Sequence, residues 1–373
     1  MSSRRSMLHA VTRQLHYLLP TLRVTRTRGL ALLVVGMLWS RSVALPRMAA
    51  ALPLGATDAS LERRLRRWLA NAQVDVGTIW RTLLPRLLTD RAGQDLLLVF
   101  DPTPLGTRAT VLVLGLVVRH RIVPLAWRTM PQQDGKWATS QGDLMVTLMQ
   151  EVQAALPPAC TVTLVADRQM SGVRILDACQ ALGWHVVVRL NGGAKRRIYW
   201  RADPEAAAQP VATLLTGPGQ RWHARGQLFP TEQWRDVWLT IRWDRGHEEP
   251  WILVSDREGG PARVADYRRR ARCEATYQDC KSRGFHMDRS RVRDLDRMDR
   301  VLLALHLAFW WATRLGLHVL RHGERRHYDR SDRRDLSILR LGLMVFSELD
   351  LGRPHVPLLF VRRHDTWYVP GMT

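Results

Sequence analysis

Tyr267, Arg270, Glu274 and Lys281 follow one another as Y-x2-R-x3-E-x6-K. At about 100° per residue on a helix they fall within an arc of roughly 60°, so one face carries a carboxylate flanked by two cations and a phenol. Two further acids stand where strands are predicted to end, Asp101 after Leu96-Leu97-Leu98-Val99-Phe100 and Asp167 after Val162-Thr163-Leu164-Val165-Ala166. Three carboxylates converging from two strand ends and one helix make a site for two divalent metal ions. Hard Mg2+ prefers carboxylate oxygen and keeps several waters, so few protein ligands suffice. Each residue alone has a duller explanation. Arg270 lies among Arg268, Arg269 and Arg272, Glu274 alone reads as a surface helix residue, and both aspartates can cap the turns that follow them. Lys281 is the less expected match, because Lys136, Lys195 and Lys281 are the only lysines in the chain.

The elements that must position these groups change character along the chain. Residues 1–90 alternate apolar helical stretches with arginine. Asp58-Ala59-Ser60 opens a predicted amphipathic helix that puts Leu61, Leu65, Trp68 and Leu69 on one face and Arg63, Arg64, Arg66 and Arg67 on the other. Those arginines suit phosphate contact within a helical DNA-binding unit, or form a merely solvated face. Strand-like runs follow at 96–100, 111–118 and 122–127, then a helix at 140–155, a strand at 161–166, a helix at 171–182 and a strand at 186–188. A segment of about 70 residues then intervenes before Pro261, with Trp222, Trp234, Trp238, Trp243 and Trp251 among alternating apolar and basic positions, and reads as β-rich. Most of those tryptophans read as packing residues. Trp234, Trp238 and Trp243 are candidates for stacking on an extruded base. Residues 262–285 read as the helix carrying the four spaced residues, and Met298 to Leu320 as a strongly apolar second helix.

The Tyr-Arg-Glu-Lys spacing, with Asp-Pro-Thr after the first strand, Ala-Asp-Arg-Gln-Met-Ser-Gly around the second acid and Lys281-Ser282 closing the signature, resembles the DDE transposases of bacterial insertion sequences, specifically the insertion-sequence-four group. The resemblance covers residues 95–300 and reaches the ends only loosely. It implies an α/β chain with a ribonuclease-H-like mixed sheet and flanking helices, in which the first and fourth strands are neighbours and Asp101 meets Asp167. Its parts are a helical DNA-binding domain (1–90), the first part of the catalytic core (91–190), a β-rich insertion (191–260), core helices (261–320) and a basic tail (321–373). It further implies Asp101, Asp167 and Glu274 as metal ligands for two Mg2+ ions, with Mn2+ as a substitute, about 3.5 to 4 Å apart as in other two-metal sites. Tyr267, Arg270 and Lys281, with Arg63, Arg66 and Arg67 further off, would bind DNA. Water attack at the element's end would be followed by attack of the released 3′ hydroxyl on target DNA. Relatives act as DNA-bound dimers, so a homodimer is expected.

Composition agrees with a polyanionic partner. The chain has 56 Lys and Arg against 34 Asp and Glu, a net charge of +22. Codon bias accounts for arginine in place of lysine but not for the excess of bases over acids, and double-stranded DNA is the leading partner. The apolar run Leu30 to Trp39 is about ten residues long, where a span needs about 20, so no membrane association is expected. Cys160, Cys179, Cys273 and Cys280 show no zinc-like spacing and suit a reducing cytoplasm. Two other readings stay open. The Leu-Val-Phe-Asp-Pro-Thr run loosely resembles haloacid-dehalogenase-type phosphatases, although Thr103 stands where their second acid is expected. A DNA-binding regulator or inactive transposase remnant would keep the charge without the chemistry.

Overall fold

The computed structural model describes residues 3–105, 109–131, 140–170, 172–191, 198–231, 233–272, 274, 276, 279–280, 284–287, 290–332 and 334–348. Its centre is a ten-stranded sheet ordered β3-β2-β1-β4-β5-β10-β9-β8-β6-β7. Strands β1 (Asp95–Leu105), β2 (Ala109–Val118) and β3 (Arg121–Pro131) form an antiparallel meander. β4 (Thr161–Ala166) and β5 (His185–Arg189) continue it in parallel, and helices α6 (Gln141–Gln153) and α7 (Val173–Leu182) make the connections that parallel pairing requires. This mixed α/β arrangement is compatible with a ribonuclease-H-like transposase fold.

The segment after β5 supplies β6 (Tyr199–Arg201), β7 (Gln209–Pro210), β8 (Arg221–Leu228), β9 (Arg235–Arg242) and β10 (Trp251–Ser255). They are all antiparallel, and β10 pairs with β5, so the inserted strands extend the central sheet. Their tryptophans mostly pack. Trp200 meets Trp222 edge to face at 5.0 Å, Arg201 lies over Trp234, and Trp243 Nε1 donates to the His247 carbonyl.

The sheet's main apolar face is covered by α6, α7 and a long helix α9 (Leu295–Arg321), which is buried along most of its length. Trp310 Nε1 of α9 donates to the Pro124 carbonyl of β3 at 2.8 Å, and Asp299 accepts from Trp127 Nε1 and Thr129 Oγ1 of the same strand. Five N-terminal helices, α1 (Ser3–Leu18), α2 (Val24–Ser40), α3 (Leu45–Ala51), α4 (Asp58–Leu69) and α5 (Val76–Leu88), join this same core. Buried Arg300 of α9 ties them in by donating to the Leu69 and Val74 carbonyls. In α2, every residue from Gly29 to Leu38 is buried. Among the described residues no single helix is long and apolar enough to cross a membrane; α2 and α3 meet that test only as a pair bent by 89°.

Two elements depart from the expected boundaries. The segment after Arg321, read as a basic tail, contains an apolar helix α10 (Ile338–Glu348) packed on α9. Gly316 and Gly342 allow this approach, since a Cβ on Gly342 would stand 1.7 Å from the Ala312 carbonyl oxygen. Strand β1 does not stop before Asp101 but runs through it to Leu105. Its ladder with β4 ends at Val99, so beyond that point β1 has a free edge, where Pro102 and Pro104 cost no ladder hydrogen bond.

Candidate active site

The other face of the sheet is covered differently. Leu97 and Val99 of β1, Val165 of β4, Val187 of β5 and Leu253 of β10 form a small second core under helix α8 (Pro261–Arg268), which contributes Val264 and Tyr267. Alternation along each strand carries this face onward to Asp101, Asp167 and Arg189. Since β1 and β4 are parallel neighbours, the two aspartates reach the same end of the sheet.

Helix α8 begins after Gly260, whose φ of 106° suits glycine, with Pro261 at its first turn. It does not continue as one α-helix to residue 285. It ends at Arg268 and passes into a 3-10 turn, Arg269–Ala271. Three residues apart, Tyr267 at the end of α8 and Arg270 in the turn share one face, over the aspartates. The Tyr267 hydroxyl donates to Asp167 Oδ1 at 2.8 Å, and its ring stacks edge to face on Trp251 at 5.0 Å. Arg270 Nη2 lies 2.8 Å from Asp101 Oδ1 and 3.2 Å from Asp167 Oδ2. Side-chain exposures of 12% for Asp101, 20% for Asp167 and 23% for Arg270 leave this trio partly reachable from solvent.

Burial alone would push the Asp167 carboxyl up. The Arg168 backbone N–H, the Tyr267 hydroxyl and the charges of Arg270 and Arg189 outweigh it and hold the group below the ordinary aspartate value. Burial, then the Asp167 charge and hydrogen bond, push the Tyr267 phenol well up, so it remains a donor. Arg189 was not singled out from the sequence. Ala166 pairs with Val188, which puts Asp167 and Arg189 at the next position of adjacent parallel strands. Its Nε is buried without a hydrogen-bond partner among the described residues. The signal available was a basic residue directly after Val186-Val187-Val188, and the arginine-rich composition hides it.

The structure thus brings Asp101, Asp167, Tyr267 and Arg270 together. Glu274 is helical and exposed, with no contact to the aspartates among the described ones, and Lys281 lies outside the described residues. Among the described residues no group of three or more His, Cys, Asp or Glu stands ready to hold a metal ion. The two aspartates nevertheless fit part of such a site. Their oxygens already converge on one cationic nitrogen, and carboxylates are the donors that hard divalent ions take.

Past the turn, the chain is anchored to the β2–β3 hairpin. Thr276 Oγ1 accepts from the Ile122 N–H at 2.7 Å, and buried Asp279 pairs with Arg121 at 2.5 Å. These contacts hold the backbone on the C-terminal side of Glu274.

Far along the chain, α4 shows the expected amphipathic division. Leu61, Leu65, Trp68 and Leu69 are buried, and Arg63, Arg66 and Arg67 are exposed. The helix begins at Asp58 and is capped by Thr57, whose side chain accepts from the Ser60 N–H. Burial, followed by the charges of Arg28 on α2 and Arg67, lowers the pKa of Arg64, so the two helices present one basic surface.

No curated protein matches the chain. Residues 139–311, less than half of its length, match the family model of the transposase DDE domain. That span holds Asp167, Tyr267, Arg270, Glu274 and Lys281 and begins after Asp101. The match supports a DDE transposase.

Proposed function

We propose that the chain is a DNA transposase of the insertion-sequence-four type, which binds element ends and carries out strand cleavage and strand transfer where β1 and β4 part. One observation carries this reading: Arg270, from the Tyr-Arg-Glu-Lys segment, bridges the carboxylates of Asp101 and Asp167, which come from separate strands. Asp101, Asp167 and Glu274 would hold divalent metal, Mg2+ or Mn2+. When bound, two such ions activate the attacking oxygen and stabilise the leaving one.

The remaining work belongs to the chain. Tyr267 fixes the Asp167 carboxylate by its hydrogen bond and keeps it ionised. Arg270, Arg189 and Lys281 supply positive charge for the scissile and flanking phosphates, the arginines through a planar fork and the lysine as a point charge. In the first step a water oxygen bonds to phosphorus, the bond to the 3′ oxygen breaks and that oxygen leaves as a hydroxyl. In the second, this hydroxyl attacks a target phosphodiester, and the target's own 3′ oxygen leaves. Arg63, Arg66 and Arg67 contact end DNA outside the site, the working form is a homodimer on DNA, and the compartment is the cytoplasm. The domain division is the one expected from the sequence, with α10 added to the core helices.

A second reading, a DNA-binding remnant, is favoured by the exposed position of Glu274. Nicking of a plasmid carrying the gene's own flanking DNA separates the two. Mg2+-dependent cleavage at an inverted-repeat boundary, lost in Glu274→Gln with end binding kept, supports the transposase. End binding without cleavage in either Mg2+ or Mn2+ supports the remnant.

A further inference from the structure

Asp101, within β1 just past its last pairing with β4, and Asp167, just after β4, sit on neighbouring strands, each mostly buried, and their charges repel. A single guanidinium nitrogen, Arg270 Nη2, offsets that repulsion by standing 2.8 Å from one carboxylate and 3.2 Å from the other. The position is held from outside the carboxylates as well. Tyr267, three residues earlier, binds Asp167 Oδ1 and leaves Oδ2 to the arginine. Three partners therefore compete through one side chain. The carboxylates want a cation, a divalent metal wants the carboxylate oxygens, and the guanidinium fork matches a phosphate at least as well as a carboxylate.

We infer that Arg270 is the resident counter-cation of the site, which keeps the aspartates together in the free protein and is exchanged for divalent metal when a DNA phosphate draws it away. This rests on the proposed function and assigns Arg270 a positioning role that a plain phosphate contact lacks. Metal and DNA then bind with positive coupling, and the coupling is reciprocal by linkage. The free protein holds metal weakly because each ion must displace a bound arginine. DNA restores the balance by giving that arginine another anion.

The test measures Mn2+ affinity of the full chain by titration calorimetry, with and without duplex DNA carrying its ends, and with Asp101→Asn as the blank at the same DNA concentration. Without DNA, Arg270→Gln should bind Mn2+ about tenfold more tightly than the native chain, within the range usual for coupled sites. Arg270→Lys, which keeps a charge but not the fork, should show a smaller gain. DNA should tighten native Mn2+ binding by a similar factor and leave Arg270→Gln unchanged. Equal or weaker Mn2+ binding in Arg270→Gln, with its unfolding temperature unchanged, overturns the inference and leaves the proposed function standing. Where Arg270→Gln fails to fold, native affinity in Arg270→Lys overturns it. Absence of Asp101-dependent Mn2+ binding in the native chain on DNA overturns both.

Discussion

On one face of the sheet, Leu98 and Phe100 of β1 belong to a large apolar core shared with α6, α9, α10 and the N-terminal helices. On the opposite face, Leu97 and Val99 of the same strand belong to a small cluster under the eight-residue helix α8, and Asp101 meets Arg270 of the turn that follows it. Successive residues of one strand thus serve two environments. The first holds the fold together. The second is thin, and its polar edge is where Asp101, Asp167, Tyr267 and Arg270 converge. Concentrating apolar burial on one side lets the other keep like charges close together and partly accessible, which a thick core would not tolerate without pairing.

Substitutions on the two faces should separate stability from activity. On the thick face, Gly342→Ala forces a methyl against the Ala312 carbonyl, so α10 must shift. We expect a loss of about 2 kcal/mol in urea unfolding, the usual range for overpacking, with residual folded protein still binding DNA. Native-like stability would show that α9 and α10 separate freely.

His306 is a titrating group inside that face. Burial lowers its pKa from 6.5 to about 3, and its Nδ1 has no hydrogen-bond partner among the described residues. Between those values the unfolded chain binds the proton and the folded chain does not. The contribution of His306 to stability is therefore full above about pH 6.5 and is lost with acid, with a slope approaching about 1.4 kcal/mol per pH unit. His306→Gln should remove this part of the slope in urea midpoints between pH 6 and 4. An unchanged slope would place the acid sensitivity elsewhere.

On the thin face, Tyr267→Phe removes one hydrogen bond to Asp167 but keeps the ring on Trp251. Stability should drop by about 1 kcal/mol and cleavage should slow by about tenfold, with end binding nearly intact. Full cleavage by this variant would mean that Asp167 needs no such support.

The smallest effect on stability is expected at the exposed arginines of α4. Replacing Arg63, Arg66 and Arg67 by Gln together should change unfolding by less than about 0.5 kcal/mol. If all three meet phosphate, the slope of log affinity for DNA against log salt should become shallower by about 2.7. An unaltered slope would reduce that surface to a solvated face.

What the sequence made legible followed from local rules. The α4 stripe and the meander rest on period and order, which nearest neighbours determine, whereas the pairing of β1 with β4 was implied by the family resemblance. The turn at Arg269–Ala271 was not legible, because Arg268, Arg269, Arg270 and Arg272 give no capping or breaking signal. Nor was α10, whose reason for being a buried helix is the fit of Gly316 and Gly342 across two helices far apart in sequence. Asp167 was readable because the end of β4 was, whereas the continuation of β1 past Asp101 was not. Arg189 was not, since one arginine among so many carries little information until the neighbouring strand is known.

The most direct measurement of the central claim is Mg2+-dependent cleavage of end-bearing DNA by the native chain, Asp101→Asn and Asp167→Asn, with end binding recorded in the same samples. Cleavage lost to background in both variants, with binding and unfolding temperature kept, is the predicted result. Cleavage at the native rate by either variant would contradict the assignment of Asp101 and Asp167, where β1 and β4 part, as the catalytic centre.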